Sequence, residues 1–581
     1  MTARPRRRSG FPRGPRPALA AVAGLLAAVL AACSTVPTSG PIEQGPVVNA
    51  AESNQFIRVI AAPPSQGAQP AEIVRGFLEA SASLEQDHAI ARRYLTESAS
   101  AQWDPDAGTT IYLASSLRLT PSDDQVLVDV TVMGELREDG SLKTVDPGQP
   151  RSDTFNLAQV AESGATVPEW RIVDPPPGIL ISSADLRRAY RLYETYFPSA
   201  RSTVLVPDGR LIPVVGPSLP TTLAELVLGG AAPWLAPAVG TGAPKGTALA
   251  LGAVPVQDGV ARVELTEQAL SASDVQRRDL AAQLTWTLTQ LPDIVLVELL
   301  AAGEPFEVPG APLQMGRDAW RARAPDSFSQ GLTGEGAPPH YLLDGGSLVR
   351  VSSGTRTVAP LPEEAGADLT SLAVSLDQRR AAAVEPGGGA VWLLPLDRST
   401  AARRLEAEGV GDISFDVDGR AWFVADGRVR RLTVGGDVED VGVPKEVGRI
   451  TALQLARDGA RVAVIARGMV LIGAIEEGDA GLSLASLHRV DTVIDSATAL
   501  AWRDASTVDV LGSQEGGGRQ VLRLSLGDGQ VLPLGAPSRP VDIAAAPGGL
   551  TVVSTQQGGV FANVGLQWRD QGSGQSVAYP G

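Results

Sequence analysis

One cysteine, three histidines and four methionines are all that 581 residues offer in soft or imidazole ligands. A lone thiol, Cys33, closes no disulfide within the chain and builds no thiolate metal site. His88, His340 and His488 lie far apart in sequence, which argues against a histidine metal centre. Aromatic residues are scarce at 4 %, and 49 basic side chains face 65 acidic ones. A chain of that sign is repelled by phosphate, so nucleic acid and anionic lipid surfaces are poor partners. Long apolar runs are missing too. The apolar stretch near the start, Ala18 to Ala32, is about fifteen residues. A bilayer-spanning helix needs roughly 18–20.

What is present begins with that stretch. Arg4, Arg6, Arg7, Arg8, Arg13 and Arg16 precede it, and it closes as Leu30-Ala31-Ala32-Cys33. A basic segment, a short apolar segment and small residues at a cut site mark a secretory signal over residues 1–32. The Leu-Ala-Ala-Cys ending resembles the lipobox of bacterial lipoproteins. That resemblance implies a diacylglyceryl thioether and an N-acyl (palmitoyl) chain on Cys33 as first mature residue, and a lipid-anchored protein on the extracytoplasmic face of the cell membrane. An ordinary secretory signal with an incidental cysteine is the alternative. Cleavage there takes six arginines from the 49 basic residues and none of the 65 acidic ones, leaving a net charge near −22. Attachment then depends on the acyl chains, since one chain holds only marginally and two or more hold stably.

Residues 33–67 read as the lipidated cysteine and a Ser/Thr/Pro/Gly-rich linker. Pro70 fits the first turn of a helix whose Ile73, Val74, Phe77 and Leu78 share a face. Ile90, Tyr94 and Leu95 suggest a second short helix. The period falls to two over Val126–Met133, and strand signals continue at Phe155, Leu157, Trp170 and Ile172. Helices followed by antiparallel strands are similar to the NTF2-like α+β domains of exported proteins, here over 68–181.

Ser182 or Ser183 is expected to cap a bridging helix carrying Leu186, Tyr190 and Tyr193. Strands are expected at Val204–Val206 and Leu211–Val215. Thr221 or Thr222 is expected to cap a helix with Leu223, Leu226 and Val227 inward. Asp258-Gly259, between Val254–Val256 and Val260–Leu265, is a hairpin signal because both residues tolerate positive φ. Leu280, Leu284 and Leu288 mark a longer helix, and Ile294–Leu300 a buried strand. Leu226–Pro233, Pro244–Thr247, Asp258–Leu265 and Leu284–Leu291 resemble the GerMN domain, an α/β module, over 195–305. The resemblance carries no catalytic residues with it.

Beyond Pro339 helical stripes vanish and a repeat sets in. Turn positions Asp377, Asp418, Asp458, Asp504 and Pro547 follow one another at the roughly 40–46-residue spacing of a four-stranded propeller blade. A third strand follows each turn at Val391–Leu396, Val429–Val434 or Met469–Ile475. One blade cannot bury both faces, whereas a closed ring can. The repeat therefore predicts an all-β propeller over 338–581 with five to seven blades, a β-sandwich being the alternative. Closure is expected where Tyr341–Leu343 or Leu348–Val351 pairs with the segment around Val560–Phe561.

Several chemical motifs fail on inspection. Gly240–Thr247 looks like a phosphate loop, but the order is Lys245-Gly246-Thr247 and Pro244 removes an amide. Asp416-Val417-Asp418-Gly419 lacks the downstream oxygen ligands of a calcium loop. No Gly-x-Ser-x-Gly elbow occurs. Glu363-Glu364 and Glu476-Glu477 read as solvated surface, and Trp392, Trp422 and Trp502 as blade packing. No catalytic, cofactor-binding or metal-binding residue is assigned.

The order of leader, NTF2-like segment, GerMN-like domain and propeller, with Phe77–Ser81, Tyr94–Ser100 (Tyr-Leu-Thr-Glu-Ser-Ala-Ser) and Trp286-Thr287-Leu288, resembles the LpqB-type actinobacterial lipoproteins. That resemblance implies a non-enzymatic accessory of the MtrA–MtrB two-component system, binding the extracellular domain of the sensor histidine kinase MtrB. The alternative is a binding module for envelope glycan or peptide.

Overall fold

The computed structural model describes residues 61–581, apart from 84–86, 162–166, 215–217, 328–336, 366–367, 398–400, 434–435, 480 and 515. Cys33 and its leader lie outside the described residues, as does Val215. Among the described residues no helix is long and apolar enough to cross a membrane. Residues 58–581 form one compact unit.

Its first part is an α+β layer. Helix α1 (Pro70–Ser81) starts with proline in its first turn and Glu72 closing a capping box on Gln69. It buries Ile73, Val74, Phe77 and Leu78. The second helix is a single turn, Ala89–Arg92, so Tyr94 and Leu95 lie beyond its end, where Leu95 bridges to Ile172. The sheet is mixed. Strands Gln125–Leu136, Leu142–Val160 and Glu169–Asp174 pair antiparallel, while Thr109–Tyr112 and Ile179–Ser182 run parallel. Val126, Val128 and Val130 face the helices with Phe155 and Ile172, as period two requires.

The bridging helix, Ser183–Ala189, is capped by the Ser182 hydroxyl. It stops before Tyr190, which opens a nine-residue strand, Tyr190–Pro198, paired along its length with Leu205–Pro213. Leu186, Tyr190 and Tyr193 have helical spacing, but the aromatic-rich Tyr190–Phe197 run prefers a pleated surface and finds a partner strand there. The two short strands expected at 204–206 and 211–215 are one strand. In the next helix, Leu219–Gly229, Ser218 takes the N-cap position. Thr221 instead accepts a hydrogen bond from the Val254 amide at 3.0 Å. Asp258 (φ 52°) and Gly259 (φ 78°) turn the hairpin between Val256–Gln257 and Val260–Leu265. Val260–Leu265 then pairs parallel with Leu296–Ala301, and helix Asp274–Leu288 covers them, sharing their core.

Six four-stranded antiparallel sheets make up the remainder among the described residues. The second to sixth blades open with strands Thr370–Val374, Val410–Phe415, Ile450–Leu455, Ala499–Trp502 and Pro540–Ala544. Each opening strand contacts the next around the ring. The first blade takes three strands from His340–Pro360, and its innermost strand is Ser576–Ala578. Closure therefore joins Tyr341 to Ala578, Leu342 to Val577 and Leu343 to Ser576. Val560 and Phe561 belong instead to the third strand of the sixth blade. Trp392, Trp422 and Trp502 are buried between sheets.

Candidate functional site

The inner strands surround a channel of about 320 Å³. Thr370, Gly411, Thr451, Thr498, Val541 and Gln575, one from each blade, ring its exposed mouth. Inside stand two carboxylates, Asp412 on the third blade and Asp542 on the sixth, which are opposite blades in a ring of six. Both occupy the position after a bulge in their strands.

These acids stitch neighbouring blades together. Asp412 accepts from the Ser371 hydroxyl at 3.0 Å on one side and the Leu453 amide at 3.0 Å on the other. Asp542 accepts from the Ser576 hydroxyl at 2.5 Å and the Val577 amide at 3.1 Å. Ser576 in turn accepts from the Leu372 amide, and Ser414 from the Leu455 amide, each at 3.1 Å. Both carboxylates sit deep in the ring yet keep partial access through the channel. Burial pushes Asp412 up to about 6, and the charge of Asp542 adds to the shift. Burial raises Asp542 as well. Two opposed acids suggest general acid–base chemistry, but each is engaged by hydroxyl and amide donors from adjacent strands.

Arg457 stands at the other end. Its guanidinium donates to the carbonyls of Pro580 (2.9 Å), Trp502 (3.1 Å) and Ala545 (3.0 Å). Burial lowers it to about 10. Three carbonyls from three segments make this end a plug.

Beyond the plug lies the seam with the preceding modules. Ser199 and Ser202 donate to the Asp458 carbonyl at 2.8 and 2.7 Å. Buried Arg461 pairs with Asp458 and lies over the Trp502 ring at 5.0 Å. Asp326, on the segment entering the propeller, is pushed up to about 6, first by burial and then by the charge of Asp504. Gly209 and Gly527 pack backbone to backbone.

The histidines are dispersed. His88 packs edge-on against Trp103 at 5.6 Å and His340 against Tyr579 at 5.6 Å, while His488 meets Trp234 at 5.1 Å in the seam. Burial lowers all three, His340 to about 4. No group of three His, Cys, Asp or Glu residues able to hold a metal occurs among the described residues. The phosphate-loop lookalike is packed against helix Asp274–Leu288. A side chain on Gly242 would collide with the Leu280 and Gln276 backbone, and its amide donates to Gln283 at 2.7 Å. In the calcium-loop lookalike it is Asp416, not Asp418, that closes the turn, accepting from the Asp418 and Arg420 amides and from Trp422. Asp418 pairs outward with Arg201 and Arg420. Glu363, Glu364, Glu476 and Glu477 are exposed.

Sequence reasoning missed Asp412, Asp542 and Arg457. Asp412-Ile413 and Asp542-Ile543 recur at one register three blades apart, and that repetition was a usable signal.

The architecture defines a multidomain protein in which an α+β module and a small α/β module precede a six-bladed propeller. The family model described as "Lipoprotein LpqB, N-terminal domain" matches residues 63–187, "Sporulation and spore germination" matches 194–307, and "Lipoprotein LpqB beta-propeller domain" matches 346–580. Lipoprotein LpqB of Thermobifida fusca is 30 % identical over 97 % of this chain and 99 % of its own length. That of Mycolicibacterium smegmatis is 29 % identical over 92 % and 93 %. The chain belongs to the LpqB lipoprotein family. Among solved structures, TolB from Acinetobacter baumannii covers 44 % of this chain and 70 % of its own at 17 % identity, with a TM-score of 0.33, too slight a likeness to carry an argument.

Proposed function

We propose that this protein is a lipid-anchored, non-enzymatic accessory on the extracytoplasmic face of the cell membrane, tethered through acylated Cys33. Its partner in this reading is the extracellular domain of the sensor kinase MtrB, and its effect is on the MtrA–MtrB relay. The observation that supports it best is the continuity of the body across three modules. Ser199 and Ser202 hold the seam on the Asp458 carbonyl, so a contact on any module is presented at a fixed distance from the others. Confinement of tether and kinase to one membrane plane raises effective concentration and lets a weak contact suffice. The full chain carrying Cys33→Ala should bind the isolated sensor domain as the native protein does, yet fail to support signalling when exported. Undiminished signalling from that untethered form would defeat the tether, and absence of MtrB from crosslinked material in intact cells would defeat the partner.

The channel mouth favours a second reading, an envelope glycan or peptide receptor, because Thr370, Thr451, Thr498 and Gln575 place polar side chains from four of the six blades around the opening above Asp412 and Asp542. Co-sedimentation with cell-wall sacculi, set beside binding to the sensor domain, separates the two.

A further inference from the structure

A cavity of about 920 Å³ lies between the N-terminal layer, the bridging helix and the fifth blade. It is at the upper end of the roughly 300–1,000 Å³ typical of small-molecule pockets, which favour domain interfaces and apolar walls. Ile111 and Met133 line it from the N-terminal sheet, Leu186 and Leu211 from the bridge, and Val490 and Val531 from the propeller side. Leu113 and Val493, contributed by different modules, also line it and are 37 % and 38 % exposed. Two modules thus leave branched apolar side chains facing one shared space, where collapse of the seam would have buried them.

Charge is distributed unevenly around these walls. Arg187 and Arg191 both come from the bridge. Their neighbour Arg188 pairs with Asp185 at 2.7 Å. Arg187 has no ion pair or side-chain hydrogen bond among the described residues, and Arg191 donates only to the backbone carbonyls of Arg187 (2.7 Å) and Tyr190 (3.0 Å). The acids on the propeller wall are engaged through one oxygen each, the Oδ2 of Asp491 being buried without a hydrogen-bond partner. Asp491 accepts from the Val493 and Ile494 amides and faces Arg489 at 3.6 Å, while Asp528 accepts from the Gln530 amide at 3.2 Å. The space therefore combines apolar walls with two guanidinium groups that lack carboxylate partners on one side.

We propose that this cavity binds a single-chain anionic amphiphile, its alkyl chain between the bridge and the fifth blade and its carboxylate or phosphate head on Arg187 and Arg191. The site stands independently of the kinase contact.

The test uses the full chain carrying Cys33→Ala, purified without detergent and titrated with dansyl-undecanoate. Dodecanoate, dodecyl phosphate and dodecanol serve as competitors. Saturable binding of one probe per chain is expected, and affinity should tighten about fourfold for each methylene added to the competitor. Dodecanol should compete about tenfold more weakly than the anions, as loss of a charge-assisted contact requires. Stronger competition by dodecanoate or by dodecyl phosphate assigns the head to a free fatty acid or to a phospholipid source. The double variant Arg187→Glu, Arg191→Glu, changed at accessible positions, should weaken the probe about tenfold or more. Val493→Trp should exclude it by filling the mouth, and Leu113→Trp provides the same block from the opposite module should the first variant misfold. No saturable binding, equal competition by dodecanol, or binding indifferent to these substitutions in folded protein would overturn the proposal.

Discussion

Asp208 and Arg210 stand two residues apart on one strand, and their side chains meet at 2.6 Å with each only 1 % exposed. Arg210 also reaches Asp139 in the N-terminal layer at 2.8 Å and donates to the Gly230 carbonyl at 3.2 Å. Asp208 accepts from the Ala232 amide at 2.7 Å. One buried guanidinium thus ties the tip of a hairpin, the bridge and the end of helix Leu219–Gly229.

Removing that guanidinium strands a carboxylate that burial already makes hard to ionise. Arg210→Met should cost about 3–5 kcal/mol, the usual penalty for leaving one partner of a buried pair. Adding Asp208→Asn should recover part of the loss. Urea unfolding of the two variants checks both statements.

The channel acids are structural clasps, and their truncation should be expensive. Asp542→Ala leaves the Ile543 and Val577 amides and the Ser576 hydroxyl without their acceptor. A loss of at least about 3 kcal/mol is expected, at about 1–3 kcal/mol for each of the three deserted groups. Hydrogen exchange should locate the damage at the closing strand, with Val577 losing protection first.

Mild acidification should pull stability in two opposite directions. Burial raises both Asp412 and Asp326 to about 6. A carboxyl that holds its proton more tightly when folded stabilises fully below its ordinary value near 4, and that contribution is lost as pH climbs through 6. Lowering pH from 7 to 5 should therefore gain on the order of 1 kcal/mol from each carboxyl, while His340, held at about 4 by burial, removes a similar amount because its imidazole then protonates only in the unfolded chain. Further acid is destabilising: at Asp139 and Asp377 burial is outweighed by hydrogen bonds, from Ser141 and Ser375 respectively, which hold the carboxyls low. Asp326→Asn removes one of the favourable parts, so in a series of thermal melts its midpoint should fall relative to that of the native chain between pH 7 and 5.

The seam depends on a close backbone approach. A Cβ on Gly209 would lie 2.5 Å from the Gly527 Cα and 3.1 Å from a Leu192 methyl. Gly209→Val should cost about 1–3 kcal/mol by overpacking and loosen the modules from the propeller. Gly229→Ala is the control, since nothing lies within 4 Å of its Cβ position. Small-angle scattering should show a larger radius for the first variant and none for the second.

How much of this was legible follows from range. The Asp258-Gly259 hairpin, the apolar face of α1 and the blade period are local patterns, and local backbone preferences write them into consecutive residues. Which aspartate closes a blade turn was harder to read, because Asp416 and Asp418 are both chemically suitable and only the Trp422 indole, four residues beyond, selects the first. The end of the bridging helix at Ala189 was hidden for a similar reason. Tyr190 and Tyr193 keep helical spacing, and only pairing with Leu205–Pro213 decides against it. The channel acids were the least legible, since their partners Ser371, Leu453, Ser576 and Val577 lie on other blades.

The innermost strand of the first blade, Ser576–Ala578, is separated from Tyr341–Leu343 by more than two hundred residues of intervening chain. Since synthesis delivers the chain in order, those early strands must wait with an unpaired edge while five sheets are completed behind them. An open edge is a template for pairing with any passing chain. Folding helpers would find their most vulnerable client at that moment, and a chain cut just short of residue 576 would leave an unfinished circle rather than a smaller one.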